Sequence, residues 1–136
     1  MSIREGLMRK GVKADWRMPF EDLFFVGTWN MPLSADKAGK LAYPLEMVRL
    51  GPSAVNKQPW RAVVMGDTVH FYLKRNKDFA IGQHGDMQKI DVGIALCHFD
   101  LAAQEAGLQP QFLFSDPGLP LDDGMEYIAS YQVSLA

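Results

Sequence analysis

The sequence predicts an α+β domain, with an antiparallel sheet of about four strands packed on one long buried helix. Three stretches carry this prediction. Thr68–Lys74 alternates Val69, Phe71 and Leu73 with His70, Tyr72 and Lys74, and follows Arg61–Met65 across the turn dipeptide Gly66-Asp67. That pattern reads as a β-hairpin. Asp86–Ala106 carries apolar residues at helical spacing on most of its sides, as a buried helix does. Gln109–Ser115 and Met125–Val133 read as two further strands, joined by a segment that holds Pro117, Gly118, Pro120 and Gly124.

The elements follow in order. Residues 1–33 show no sustained period; Ile3–Lys10 reads as helix and Phe20–Phe25 as a short helical turn. Trp16, Phe20, Phe24, Phe25 and Trp29 make this an aromatic-rich, irregular segment that needs a surface to pack on, its own domain or a partner chain. Ser34 is placed as an N-cap, with a helix running to about Leu50 on the face of Ala38, Leu41, Leu45 and Val48. Pro44 predicts a kink or break inside it. Gly51-Pro52 stops it, with Gly51 in the left-handed cap position. Lys74–Gly85 is polar and reads as a loop. In the long helix Ile90, Ile94, Cys97 and Leu101 form one face, and Val92, Leu96, Phe99 and Ala103 a second. Asp91, His98 and Glu105 recur every seven residues and share a narrow polar stripe, and Gly107 ends the helix.

Composition narrows the class. The 136 residues suit one domain, 1–136, with no internal repeat and no linker. At 48% apolar and 22% charged the chain is an ordinary globular one. A net charge of −2 argues against a general nucleic-acid binder. The single Cys97 excludes an intrachain disulfide and fits a reducing compartment. The N-terminus is too polar for a signal peptide, and no stretch approaches the roughly 20 apolar residues that span a bilayer. The expectation is a soluble cytoplasmic protein without membrane contact.

Several chemistries have no signature here. There is no G-x-G-x-x-G, no P-loop, no H-E-x-x-H and no cysteine pair for zinc, so no metal site and no catalytic side chain is assigned. His70, His84 and His98 lack ligand spacing, and His98 reads as a core or interface histidine. Cys97 sits mid-helix, where nothing lowers a thiol's pKa, and reads as an inert buried thiol. Lys74, Arg75 and Lys77 read as a solvated hairpin end rather than a phosphate grip.

The stretch "PSAVNKQPW", Pro52–Trp60, is a more specific signal. Two prolines stiffen a loop that carries Ser53, Asn56 and Gln58 and ends on a tryptophan at the mouth of a strand. Short polar side chains on such a loop present donors and acceptors at fixed spacing. This stretch resembles the "PSxxNxQPW" signature of the FMN-dependent nitroreductase family. The helix "DVGIALCHFDLAAQEAGL" resembles that family's core helix. "EMVRLGPSAVNKQPWRAVV" and "FYLKR" resemble its thermophilic-type subgroup, of which this chain matches only the C-terminal half, over roughly residues 20–133.

The resemblance implies a nitroreductase-like fold and a homodimer with FMN at the subunit interface. It implies ping-pong hydride transfer from NAD(P)H to a nitroaromatic or quinone-like acceptor. Flavin carries that chemistry, so no protein nucleophile is expected. By this resemblance Pro52, Ser53, Ala54, Asn56 and Gln58 bind the cofactor, while Trp60 anchors the loop. One feature departs from the pattern. Family members begin with an "RRSxR" stretch that grips the FMN phosphate, and Arg4, Arg9, Lys10 and Arg17 occur here without it. The expected explanations are a natural half-protein, a fragment, or a partner for another chain. The alternative function is a non-catalytic dimerisation or binding module derived from the same fold and lacking the phosphate clamp.

Overall fold

The computed structural model describes residues 16–76 and 86–135. The helix expected over Ile3–Lys10, and Lys77 and His84 within the loop expected over Lys74–Gly85, lie outside the described residues. Within them the fold is α+β, as expected. A four-residue helix α1 (Phe20–Leu23) leads into strand β1 (Phe24–Val26). Helix α2 (Ala42–Arg49) follows, then β2 (Trp60–Met65), β3 (Thr68–Lys74), the long helix α3 (Met87–Glu105), β4 (Leu108–Leu113) and β5 (Met125–Leu135).

The strands form one sheet in the order β1-β2-β3-β5-β4. The expected antiparallel set of about four is therefore corrected to five. β1 pairs parallel with β2, Phe25 opposite Val63, while every other pairing is antiparallel. Three residues are too few to show a period of two, so β1 has no signal of its own. Gly66 at φ 61 makes the hairpin turn. β3 is covered on both faces: Val69, Phe71 and Leu73 face the helices, and His70 and Tyr72 are buried as well. Trp29 and Tyr127 stack edge-on against Tyr72 from that second side. The aromatic segment ahead of α2 thus packs on its own sheet, with Phe20, Leu23, Phe24 and Leu33 in the core.

The helix expected from Ser34 to Leu50 is broken. Two 3-10 turns, Ala35–Lys37 and Gly39–Leu41, precede α2, and the second opens on Gly39 at φ 56. Pro44 does not kink α2, because it is the third residue of that helix. The N–H it lacks is one that a first turn leaves unpaired anyway. Ser34 stands before a 3-10 turn and makes no side-chain cap.

α3 is continuous, capped by the Asp86 carboxylate, which accepts from the Lys89 N–H, and ended by Gly107 at φ 83. Its inner face buries Val92, Ala95, Phe99, Ala102 and Ala103. The Phe99 ring lies 5.2 Å from Phe71 and 5.3 Å from Tyr131. Burying such a ring contributes about 1.5–3 kcal/mol. The expectation of a helix buried on most sides needs correction. Ile90 and Leu101 are 53% and 60% exposed, and Cys97, expected to be buried, is exposed beside them. No helix among the described residues is long and apolar enough to cross a membrane.

Candidate functional site

The loop between α2 and β2 holds the positive-φ non-glycine residues found among the described residues. Gly51 does not adopt the expected left-handed cap conformation. It is instead a close approach: a Cβ there would meet the Val48 carbonyl oxygen at 3.2 Å and His98 Nδ1 at 3.6 Å. Beyond it Val55, Asn56 and Gln58 all have positive φ, at 52°, 52° and 50°. None is glycine. Asn56 tolerates this conformation, but β-branched Val55 and Gln58 are held against their preference at about 1–3 kcal/mol each.

Several hydrogen bonds offset that strain. The Ala54 N–H donates to Asp91 Oδ2 on α3 at 2.9 Å. The Gln58 N–H donates to Ser53 Oγ at 2.9 Å, closing the loop on itself. Gln58 Oε1 accepts from the Met18 N–H at 2.9 Å, and its Nε2 donates to the Asn56 carbonyl at 3.2 Å. Asn56 Nδ2 donates to the Trp16 carbonyl at 2.8 Å. Beneath the loop Trp60 is fully buried, as expected of an anchor.

The five expected cofactor residues therefore stand together, in different situations. Pro52 is exposed; Ser53, Ala54 and Asn56 are half-buried. Gln58 is 1% exposed, with its amide committed to the chain's own backbone. The Ser53 oxygen accepts within the loop, and its O–H remains a donor for a ligand hydroxyl. One such hydroxyl donor suits a hydroxyl of a polar ligand at the Pro52–Asn56 edge. Arg17, from the expected basic N-terminus, donates to the Trp16 and Leu50 carbonyls.

Asp91 is the site residue whose role spacing alone did not reveal. It is 4% exposed, and burial pushes its carboxyl above the usual range while the Ala54 N–H pulls it back. Its place on the polar stripe with His98 and Glu105 is explained by what the stripe faces, namely the loop at Ala54, Gly51 and, at the far end, Tyr43 of α2. Arg61, read only as the start of a strand, is also buried. Its Nη1 donates to the Gln58 carbonyl at 2.8 Å and the Trp60 carbonyl at 2.6 Å. A charged residue opening the apolar run "RAVVM" was the available clue. Arg75 is not merely solvated, because it forms a two-pronged ion pair with Asp86. On the other face of the sheet His70 Nδ1 lies 2.6 Å from Ser130 Oγ, which lies 2.5 Å from the Tyr127 hydroxyl. Burial lowers the His70 pKa, against the opposing influence of Asp116 and the Ser115 backbone. No group of three or more candidate metal ligands occurs among the described residues.

Comparison with known families finds one match. The family described as "Putative TM nitroreductase" matches residues 33–103, slightly more than half of the chain. The matched span contains α2, the strained loop, the hairpin and most of α3. No curated protein matches the sequence.

Proposed function

The chain belongs to the putative TM nitroreductase family, and from that premise we propose that it is an FMN-dependent oxidoreductase of nitroreductase type, passing hydride from NAD(P)H to a nitroaromatic or quinone-like acceptor in two half-reactions. The observation that carries this reading is the run of left-handed, non-glycine residues at Val55, Asn56 and Gln58. Backbone held in such conformations by outside bonds clusters at ligand clamps. Bound FMN supplies the ring that accepts and returns the hydride. Pro52, Ser53, Ala54 and Asn56 would hold it. Pro52 sets the direction of the chain, Ser53 offers its O–H, and the half-buried Asn56 lies at the turn of the loop. Gln58 acts from behind, tying the loop to Met18 so that the contacting residues keep their spacing. Asp91 and Trp60 hold the loop from α3 and from the core.

One observation favours the second reading, a flavin-less binding or dimerisation module. Ser53 Oγ and the Asn56 amide already bond to the chain's own backbone. Titration of FMN into the full chain, followed by quenching of flavin fluorescence, separates the two. The enzyme reading expects a yellow protein and saturable quenching. Asn56→Ala should weaken binding by about 1–2 kcal/mol. Trp60→Ala should instead lower fold stability by about 3–5 kcal/mol through the cavity it leaves. Wild-type protein that binds no FMN at high concentration removes the enzyme reading and leaves the module.

A further inference from the structure

Arg61 is 8% exposed, yet no carboxylate of the described residues forms an ion pair with it. Buried charges in proteins are ordinarily paired, since an unpaired one bears the full loss of its hydration. Two backbone carbonyls, of Gln58 and Trp60, hold its Nη1. Its Nη2 has only the Met18 thioether sulfur at 3.7 Å, a weak acceptor. The guanidinium is thus fixed by one edge and under-satisfied at the other. Burial draws its pKa down to about 10, with Asp22 opposing, so it remains charged at neutral pH.

Arg61 lines a cleft of about 420 Å³, within the size range of small-molecule sites. Phe25 and Trp29 stand in its wall, their rings 5.3 Å apart and edge-on. Trp29 is held in place by its indole N–H, which donates to the Pro120 carbonyl at 2.9 Å. Around the rim are the exposed side chains of Glu21, Asp22 and Asp122, with Lys74 opposite in sign. The rim carboxylates are solvated. They add negative potential, which opposes any anion, and a doubly charged one such as a phosphate monoester more than a monocarboxylate.

We propose that this cleft is a binding site for a small aromatic monocarboxylate, its carboxylate on the under-satisfied Nη2 edge of Arg61 and its ring against Phe25 and Trp29. A planar carboxylate matches the two-pronged geometry of a guanidinium. The aromatic walls bury the rest of such a ligand. The site is independent of the flavin reading and stands whether or not FMN binds.

The test is a titration of the full chain with benzoate, followed through the Trp29 indole N–H by heteronuclear NMR. Benzyl alcohol and inorganic phosphate serve as comparison probes. Benzoate is expected to give a saturable shift, and the two comparison probes none. Arg61→Gln should weaken benzoate by at least about ten-fold, the loss of charge-assisted hydrogen bonds. Arg61 also holds two carbonyls, and if Arg61→Gln does not fold, Asp22→Asn decides. Removing that rim charge should tighten benzoate by roughly two- to five-fold. The proposal is overturned if folded wild type shows no saturable benzoate shift, if benzyl alcohol binds equally well, or if Asp22→Asn leaves the affinity unchanged.

Discussion

Asp91 shows how a single side chain sets the conditions under which the loop holds. Its carboxylate accepts the Ala54 N–H at 2.9 Å from inside the interface between α3 and the loop. Burial raises its pKa above the ordinary 3.8, so the folded state keeps a proton that the unfolded chain releases more readily. The sign follows from the linkage: this group's contribution is most favourable below 3.8 and is lost as pH rises through the raised value. At neutral pH the charge is therefore a burden, and the acceptor oxygen is what matters. Asp91→Asn keeps an oxygen for Ala54 and removes the charge. Its expected stability at pH 7 is equal to wild type or higher by up to about 1 kcal/mol, with the advantage shrinking near pH 4. Asp91→Ala loses the acceptor and should be less stable by about 1–3 kcal/mol. Urea midpoints of the three proteins at both pH values check this, and an Asn variant as impaired as the Ala variant would refute it.

α3 depends on its first turn. The Asp86 carboxylate caps the helix through the Lys89 N–H and pairs with Arg75 at the end of β3, so one side chain joins helix and hairpin. The Arg75 hydrogen bond is the largest influence holding the Asp86 carboxyl below its ordinary 3.8. Its stabilisation is present above 3.8 and lost as pH falls through the lowered value. Asp86→Ala should lower stability by about 1–2 kcal/mol at pH 7, read as a lower melting temperature, and the gap should close in acid. A gap that does not narrow as pH falls would contradict the ion pair with Arg75. The elements legible in the sequence were those with local signals: the Gly66-Asp67 hairpin, α3 with its Asp and Gly ends, and the last two strands. β1 was not legible, since its parallel pairing to β2 arises only when residues 24–26 meet residues 62–64. α2 was misread because Gly39 breaks the pattern before it and Pro44 falls in its first turn rather than its middle. The loop at 52–60 stood out in the sequence by its residue types. Its wiring to Trp16, Met18 and Asp91, each distant in sequence, was not.

At the scale of the whole molecule, the described residues include an apolar surface that none of them covers. One side of α3 meets the sheet and α2; the other presents Ile90, Cys97 and the 60% exposed Leu101 to solvent. Gly93, Leu96 and Phe112 continue it as a groove between α3 and β4, and the 75% exposed Phe114 packs edge-on against Phe112. Large apolar side chains in one such strip mark an association surface more often than an ordinary monomer exterior. The stripe Ile90, Ile94, Cys97, Leu101 has the three-and-four spacing with which a helix packs against a second helix. A second copy of the same helix offers a complement of the same shape, and a two-fold axis is the usual arrangement for identical patches. The proposal of a homodimer rests on that strip. Leu101→Lys places a charge in its middle and touches nothing on the inner face, so the helical signal in circular dichroism should be unchanged. Sedimentation at micromolar concentration should find wild type at twice the chain mass and the variant at the chain mass. A wild type that sediments as a monomer there would overturn the dimer, and with it the idea that a second copy stands beside the loop at 52–60.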